Sequence, residues 1–135
     1  MNSVLDLDAN KTLVRCLFED VIDGGDLTLA DRLLRPDYIQ HNPSAGQGIE
    51  GFKTYFTDLE RTKKRLRVSS TLTIQHMLAE ADHVFIYAET RMEGAVNLTF
   101  EAMDLFRIRE GQIAEHWDVI QGRGLLSSLV LLVSG

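Results

Sequence analysis

Near its C-terminal end the sequence reads Asp104-Leu105-Phe106-Arg107-Ile108-Arg109-Glu110-Gly111-Gln112-Ile113-Ala114-Glu115-His116-Trp117-Asp118. Apolar and polar residues alternate on both sides of the segment 109–111, which is typical of two strands joined by a tight turn. Glycine at the third loop position suits a type I turn followed by a bulge, because glycine accepts the left-handed conformation. The stretch therefore predicts an antiparallel β-hairpin.

A three-residue loop at 109–111 sets the pairing expected within this hairpin. It places Asp104 opposite His116, so that Asp104, Phe106, His116 and Asp118 share one face. The opposite face is then expected to hold Leu105, Arg107, Ile113, Glu115, Trp117 and Val119. A two-residue loop would instead pair Asp104 with Trp117 and separate it from Asp118.

The shared face of the hairpin carries the residues that we expect to be catalytic. Two carboxyls and an imidazole on neighbouring strands lie within roughly 5–8 Å of one another. Like charges and loss of water both raise the proton affinity of a carboxyl, which lets it exchange protons near neutral pH. Asp118 is the expected proton-transfer residue, and Asp104 and His116, predicted to share a hydrogen bond, are expected to assist it.

The rest of the chain predicts an α+β fold, with helices first and a strand meander after them. Apolar residues recur at helical spacing around Leu17, Ala30 and Phe52, and with a period of two from Val68 onward. Long strands joined by short turns are antiparallel. We expect one domain over residues 1–135, in which a curved antiparallel sheet wraps the N-terminal helices and leaves a cone-shaped interior.

Further residues are expected to line or to approach that interior. The stretch Asp37–Pro43 carries His41, which is predicted to reach the pocket mouth as a fourth catalytic residue. The aromatic residues expected to contact a substrate, each of which would also fit an ordinary core, are Tyr38, Phe52, Phe56 and Phe106. A metal held by His116, Asp118 and either Asp104 or His41 is imaginable, but no helical ligand pair supports it. The favoured interpretation has no metal and no cofactor.

Composition narrows the classes of partner. The chain has 135 residues and a formal net charge of −6, which disfavours nucleic acid and anionic membranes. Its single cysteine, Cys16, cannot form an intrachain disulfide. The start of the chain does not resemble a signal peptide, so a cytoplasmic protein is expected. The apolar tail 124–135 is too short to span a bilayer, and we expect it to form a strand or a helix that covers apolar surface.

The outer face of the predicted hairpin is unusually apolar for a surface in contact with water. It holds Leu105, Ile113, Trp117 and Val119, with Met103 beside them. A second sheet packed against this face would remove it from solvent. The sequence therefore predicts a homodimer through the sheet.

The chain resembles the SnoaL-like polyketide cyclase family of the NTF2-like superfamily over about residues 10–121. The segments that carry the resemblance are Tyr38–Pro43, followed by Gly48, and the hairpin 104–118. It implies an α+β cone with an apolar pocket, and an intramolecular aldol condensation with no metal and no covalent intermediate. The catalytic aspartate of the relatives falls on Asp118. Their assisting histidine falls on Asp104, where this chain departs from the family by carrying a carboxyl.

Three functions remain open at this point. The first is acid/base catalysis of the aldol type on a small, partly apolar carbonyl compound. The second is a non-catalytic module that binds a small ligand or assembles a partner, because a fold alone does not decide function. The third is epoxide hydrolysis or double-bond isomerisation in the same pocket. Buried carboxyls at Asp104 and Asp118 facing a closed cavity would favour chemistry over binding.

Overall fold

A computed structural model describes residues 6–134 and shows a five-stranded sheet combined with helices. The strands are β1 Leu34–Gln40, β2 Val68–Glu80, β3 His83–Gly94, β4 Leu98–Arg109 and β5 Gln112–Arg123. Their order in the sheet is β1-β5-β4-β3-β2. Strands β2 to β5 form an antiparallel meander, as predicted, whereas β1 pairs parallel to β5. The α+β fold class is confirmed.

The helices pack into the concave side of this sheet. Helix α1, Leu7–Cys16, continues as a π-helical segment Leu17–Asp23. The short helix α2, Ala30–Leu33, leads into β1, and α3 covers Gly48–Leu66. The apolar tail forms α4, Gly124–Ser134. Among the described residues, no helix is both long and apolar enough to cross a bilayer.

The apolar core lies between the helices and the inner face of the sheet. Its largest fully buried side chains include Leu17, Leu34, Ile86, Phe106 and Ile113. Fully burying one such side chain stabilises the fold by about 1.5–3 kcal/mol. The core therefore holds the sheet against the N-terminal helical segments.

The terminal hairpin differs from its predicted register. Its turn has two residues, Glu110 and Gly111, both with positive φ, and Arg109 pairs with Gln112. The pairing then shifts by one residue between Arg107 and Ile108, where a bulge inserts Ala114. Beyond the bulge, Asp104 lies opposite Asp118 and Phe106 lies opposite His116. The expected pairing of Asp104 with His116 was wrong by two positions, and an even shift keeps the same residues on the same face.

Two bulges change which side of the sheet some side chains occupy. Ile113 pairs with Ile108 and is completely buried, although it was expected on the outer face. A second bulge lies in β2 between Ile74 and His76. After it Met77 packs against the core and Leu78 lies on the opposite face with 64% of its surface exposed, so the period of two that begins at Val68 is interrupted after Ile74.

Helix α4 packs across the ends of β4 and β5. Buried Ser127 accepts a hydrogen bond from the backbone N–H of Thr99 through its Oγ, at 3.0 Å. Gly122 allows this approach, because a Cβ there would lie 2.4 Å from the carbonyl carbon of Ser127. The tail thus forms a helix that closes part of the cone, while Leu125 and Leu132 stay largely exposed.

Candidate active site

Asp104, His116 and Asp118 meet on the inner face of the β4–β5 hairpin. One ligand atom from each of the three residues lies within 4.8 Å of the others. Asp104 and His116 are buried, and Asp118 is half-buried. All three line one cavity of about 1070 Å³. The sequence prediction that these side chains come together is confirmed by the geometry.

Asp104 and His116 form a close pair across the two strands. The Nε2 atom of His116 lies 2.7 Å from Oδ1 of Asp104, as the sequence predicted. Burial raises the pKa of Asp104; the hydrogen bond and charge of His116 oppose this shift, and the negative Asp118 adds to it. The other oxygen of Asp104, Oδ2, is buried and has no hydrogen-bond partner within residues 6–134. This carboxyl is therefore prepared to hold a proton or to meet a donor from a ligand.

Strand β1 and the residues just after it bring three polar side chains to the site, and the sequence did not predict that the three lie together. Asn42, just after β1, donates from Nδ2 to Oδ2 of Asp118 at 3.1 Å. Buried Gln40 contacts Nδ1 of His116 through Oε1 at 3.0 Å and donates from Nε2 to the hydroxyl of Tyr38 at 2.9 Å. The even spacing of Tyr38, Gln40 and Asn42 was the available signal, but only the parallel pairing of β1 with β5 shows what they face.

Tyr38 supplies a hydroxyl to the same cavity. Its side chain is 4% exposed, and burial raises its pKa above the ordinary value, with further contributions from the charges of Asp118 and Asp104. The phenol therefore stays protonated at neutral pH and can donate a hydrogen bond to an oxygen that develops negative charge.

Aromatic and aliphatic side chains form most of the remaining cavity wall. The four aromatic residues predicted from the sequence, Tyr38, Phe52, Phe56 and Phe106, all line it. Helix α4 contributes Val130 and Leu131. Phe106 also stacks on the ring of His116, with ring centroids 4.5 Å apart. Asp104, His116 and Asp118 thus lie in a largely apolar environment, which strengthens electrostatic interactions.

His41 lies elsewhere. Its Nε2 is 2.6 Å from Oε2 of Glu115, and its ring stacks on Trp117 at a centroid distance of 4.8 Å. Glu115 also accepts a hydrogen bond from Nε of Arg107 at 3.0 Å. These partners belong to the outer face of the hairpin, and His41 is not among the residues that line the cavity. The expectation that His41 reaches the pocket mouth is corrected, because β1 ends at Gln40 and the next side chain points outward.

The three inner residues are also the described group whose atoms could surround a metal ion. His116 would offer Nε2 and each aspartate one oxygen. In the present arrangement Nε2 of His116 is occupied by Asp104, and Asp118 by the amide of Asn42. The residues are thus held by hydrogen bonds to one another, and the metal-free interpretation stays a prediction.

The model of a family described as SnoaL-like polyketide cyclase matches residues 12–129. TsrD from Streptomyces laurentii is 23% identical, with 86% of this chain and 90% of that chain covered and a TM-score of 0.69. A loop truncation variant of IdmH, a protein of Streptomyces antibioticus, is 20% identical, with coverages of 91% and 98% and a TM-score of 0.71.

A structure described as an LEH-like epoxide hydrolase of M. tuberculosis is 19% identical, with 95% of this chain and 97% of that chain covered and a TM-score of 0.70. No curated protein matches the chain. At these identities the solved structures show a common fold, the NTF2-like cone, and nothing finer.

Proposed function

Because this chain belongs to the SnoaL-like polyketide cyclase family, we propose that it is an acid/base enzyme that moves a proton next to a carbonyl group. The substrate is a small, partly apolar compound, and the reaction is an aldol-type ring closure. One observation carries the proposal: Asp104 and Asp118 lie directly opposite each other in one apolar cavity but have different surroundings. Such pairs divide the tasks of acid and base.

Asp118 is the base in this proposal. Asn42 holds one of its oxygens, at 3.1 Å, and thereby orients the other oxygen. Its carboxylate takes the proton from the carbon next to a substrate carbonyl, and the electron pair moves onto the carbonyl oxygen to give an enolate. The hydroxyl of Tyr38 donates a hydrogen bond to that oxygen and stabilises the charge as it develops.

The buried pair of Asp104 and His116 is the acid. The enolate carbon forms a bond to a second carbonyl carbon of the same substrate, and the π bond of that carbonyl breaks. Its oxygen then receives the proton held between Asp104 and His116, which lie 2.7 Å apart. The proton taken by Asp118 afterwards returns to the pair, which completes the cycle without a cofactor.

The size of the cavity supports a substrate larger than a simple ketone. Its volume of about 1070 Å³ lies at the upper end of pockets for small organic ligands. The wall also includes Lys63 on α3, which forms an ion pair with Glu60 and donates from Nζ to Oγ of Ser70 at 2.7 Å. The cavity therefore suits a mostly apolar molecule that also carries polar groups.

The test measures exchange of the C–H protons next to the carbonyls of apolar 1,5-diketones for deuterium by NMR, together with closure of these compounds to six-membered rings. We expect Asp118→Asn to lower the rate by about 10²–10⁴, the usual contribution of a general base. Asp104→Asn should retain most of the exchange and lose ring closure of a diketone substrate, since it removes the acid and not the base. The matched control is Asp8→Asn, an exposed aspartate on α1. Equal exchange in the wild type and Asp118→Asn would remove Asp118 from the chemistry.

The same experiment separates the two other candidate functions. Opening of an apolar epoxide that needs both carboxyls, with no C–H exchange, would indicate water addition. Binding of the diketones with neither reaction would indicate a non-catalytic module. Both outcomes contradict the proposed aldol-type reaction.

We further propose that the protein works in the cytoplasm, where a lone cysteine stays reduced.

We also propose that two copies associate through the outer face of the sheet. Leu78, Met103 and Val119 are 64%, 49% and 68% exposed on this face. Burying such an apolar patch favours association. Sedimentation should show a dimer that Met103→Lys with Val119→Lys converts to a monomer. The control is Leu132→Lys on α4, which should leave the dimer intact; a wild-type monomer contradicts the proposal.

A further inference from the structure

Gln40 contacts three groups of the site at once and touches neither carboxyl. From this geometry we infer that Gln40 is a positioning residue: it fixes which nitrogen of His116 carries a permanent proton and directs the hydroxyl hydrogen of Tyr38 toward the cavity. The inference rests on the proposed function for its catalytic consequence. The hydrogen-bond arrangement itself can be measured without a substrate.

The orientation of the Gln40 amide is set by a group that can only donate. The backbone N–H of Asn42 points at the side-chain amide of Gln40, at 2.9 Å. A backbone N–H has no lone pair, so its partner must be the amide oxygen, Oε1. The amide nitrogen, Nε2, is thereby directed at the hydroxyl oxygen of Tyr38, 2.9 Å away.

This orientation decides the tautomer of His116. Nδ1 of His116 lies 3.0 Å from the same Oε1 of Gln40, and an amide oxygen has no hydrogen to give. Nδ1 must therefore carry the hydrogen. Only the second nitrogen, Nε2, is left to exchange a proton with Asp104, across 2.7 Å.

One proton is consequently shared between Nε2 of His116 and Oδ1 of Asp104. With that proton present, the pair is either neutral or an ion pair, and both forms have a hydrogen bond. Without it, two lone pairs would face each other at 2.7 Å, so the pair retains this proton until a substrate oxygen accepts it. In the opposite tautomer Nε2 would donate, and Nδ1 would face Oε1 without a hydrogen.

The same amide acts on Tyr38. Because Nε2 of Gln40 donates to the phenolic oxygen, the tyrosine hydrogen is free to point at another acceptor. Tyr38 lines the cavity, and the nearby charges of Asp118 and Asp104 both act on its hydroxyl. A substrate oxygen in the cavity would thus meet a donor that needs no reorientation.

The structure also holds the backbone of Gln40 in place from outside the sheet. The side chain of Gln47, in the loop before α3, accepts from the backbone N–H of Gln40 at 3.1 Å and donates to its carbonyl at 2.6 Å. Both the backbone N–H and the backbone carbonyl of Gln40 are hydrogen-bonded, and the residue is only 7% exposed. Gln40 therefore has little freedom to turn its amide over.

The direct test is ¹⁵N NMR of the histidine rings in the intact protein, with His116 assigned by comparison with His116→Asn. We expect the wild type to carry its hydrogen on Nδ1 when neutral. A wild-type His116 with its hydrogen on Nε2 would overturn the inference, whatever the behaviour of any variant.

Two variants extend the test. Gln40→Glu keeps the shape and keeps an oxygen acceptor beside Nδ1, so the hydrogen of His116 should stay on Nδ1. The new carboxylate should also attract the Tyr38 hydrogen, which lowers kcat about tenfold or more with little change in KM. Gln40→Leu removes the acceptor, and the two tautomers of His116 should then mix.

The matched control is Gln75→Glu, an exposed glutamine on β2, which should change neither the tautomer nor the kcat. A folded Gln40→Leu variant in which the hydrogen of His116 stays wholly on Nδ1 contradicts the inference. The failure of the proposed function is distinguishable, because absence of exchange in the wild type would leave the NMR result intact. A wrong tautomer would leave Asp118-dependent exchange intact.

Discussion

Asp104 and Asp118 occupy directly opposed positions on β4 and β5, yet Asp104 is 6% exposed while Asp118 keeps partial contact with solvent. The two carboxyls also have different partners, since His116 contacts one and the amide of Asn42 contacts the other. Two chemically identical groups are thereby made unequal by position alone. This inequality is the physical basis of the proposed acid and base.

The raised pKa of Asp104 predicts a pH-dependent stability. The folded chain holds this proton to a higher pH than the unfolded chain does, so the stabilisation is complete below the unfolded pKa of about 3.9 and is lost as the pH rises through the folded pKa. Asp104→Asn cannot ionise, and its Nδ2 can donate to Nε2 of His116. The variant should therefore gain stability relative to the wild type as the pH rises, measured by urea unfolding.

A control of opposite sign comes from Asp37, whose pKa is lowered by its hydrogen bond to Arg35. Asp37→Asn should lose stability relative to the wild type as the pH rises from the folded pKa of Asp37 to the unfolded value of about 3.9, a window that lies below that of Asp104. If the Asp104→Asn difference is flat with pH, or follows the sign of Asp37→Asn, burial does not govern Asp104.

The outer position of His41 predicts a variant with normal chemistry. His41→Asn should leave deuterium exchange within about twofold of the wild type, because a side chain outside the cavity makes no contact with the reacting atoms. His41 contributes most to the lowered pKa of Glu115, followed in the same direction by Arg107. The variant should thus lose stability at neutral pH, a loss that fades as the pH falls through the folded pKa of Glu115.

The measurement for His41→Asn combines the exchange assay with urea unfolding between pH 3 and pH 7. Glu115→Gln is the matched variant, since it removes the same contact from the other side. A large fall in exchange for His41→Asn alone would return this histidine to the catalytic set.

Phe106 predicts a coupling between core packing and the site. It is 2% exposed, its edge meets Phe18 at 5.8 Å between centroids, and its face covers His116. Phe106→Ala should cost about 3–5 kcal/mol of unfolding free energy, measured by urea unfolding, because it opens a cavity that the neighbours only partly fill. Phe106→Leu should cost less, and an equal cost in both variants would argue against cavity formation as the cause.

The close contact between Gly122 and the backbone of α4 predicts that a larger side chain at this position would displace the helix. A methyl group there would meet the backbone of Ser127 and Ser128 at 2.4 and 2.5 Å, and that backbone cannot give way without moving α4. Gly122→Ala should expose α4 to limited proteolysis and weaken the contact between Thr99 and Ser127. Gly111→Ala is the control: its Cβ has open space and only a strained positive φ, so the cost should be about 1 kcal/mol with α4 still protected. Protection of α4 in both variants would contradict this account.

Residue patterns determined the order of helices and strands and the face shared by Asp104, His116 and Asp118. Alternation with a period of two is a local property, because successive side chains of a strand point to opposite sides. The predicted face was correct although the predicted turn was not, because the two-residue turn and the bulge at Ala114 together displace the strand pairing by an even number of residues. The aromatic lining was predictable for the same reason, because helical spacing places Phe52 and Phe56 on one side of α3.

Local patterns in the sequence thus predicted the type of the main elements up to β5 and their apolar sides, but left the tail open as a strand or a helix. Where the bulges interrupt the alternation, which places Ile113 inward and Leu78 outward, and which strand lies beside β5 depend on the packing of the whole chain. Strand β1 is separated from β5 by more than 70 residues, Gln40 from His116 by 76, and no local spacing encodes that contact. The face shared by Asp104, His116 and Asp118 therefore follows from local pattern, whereas the amides that contact these residues follow from a long-range pairing that packing of the whole core selects.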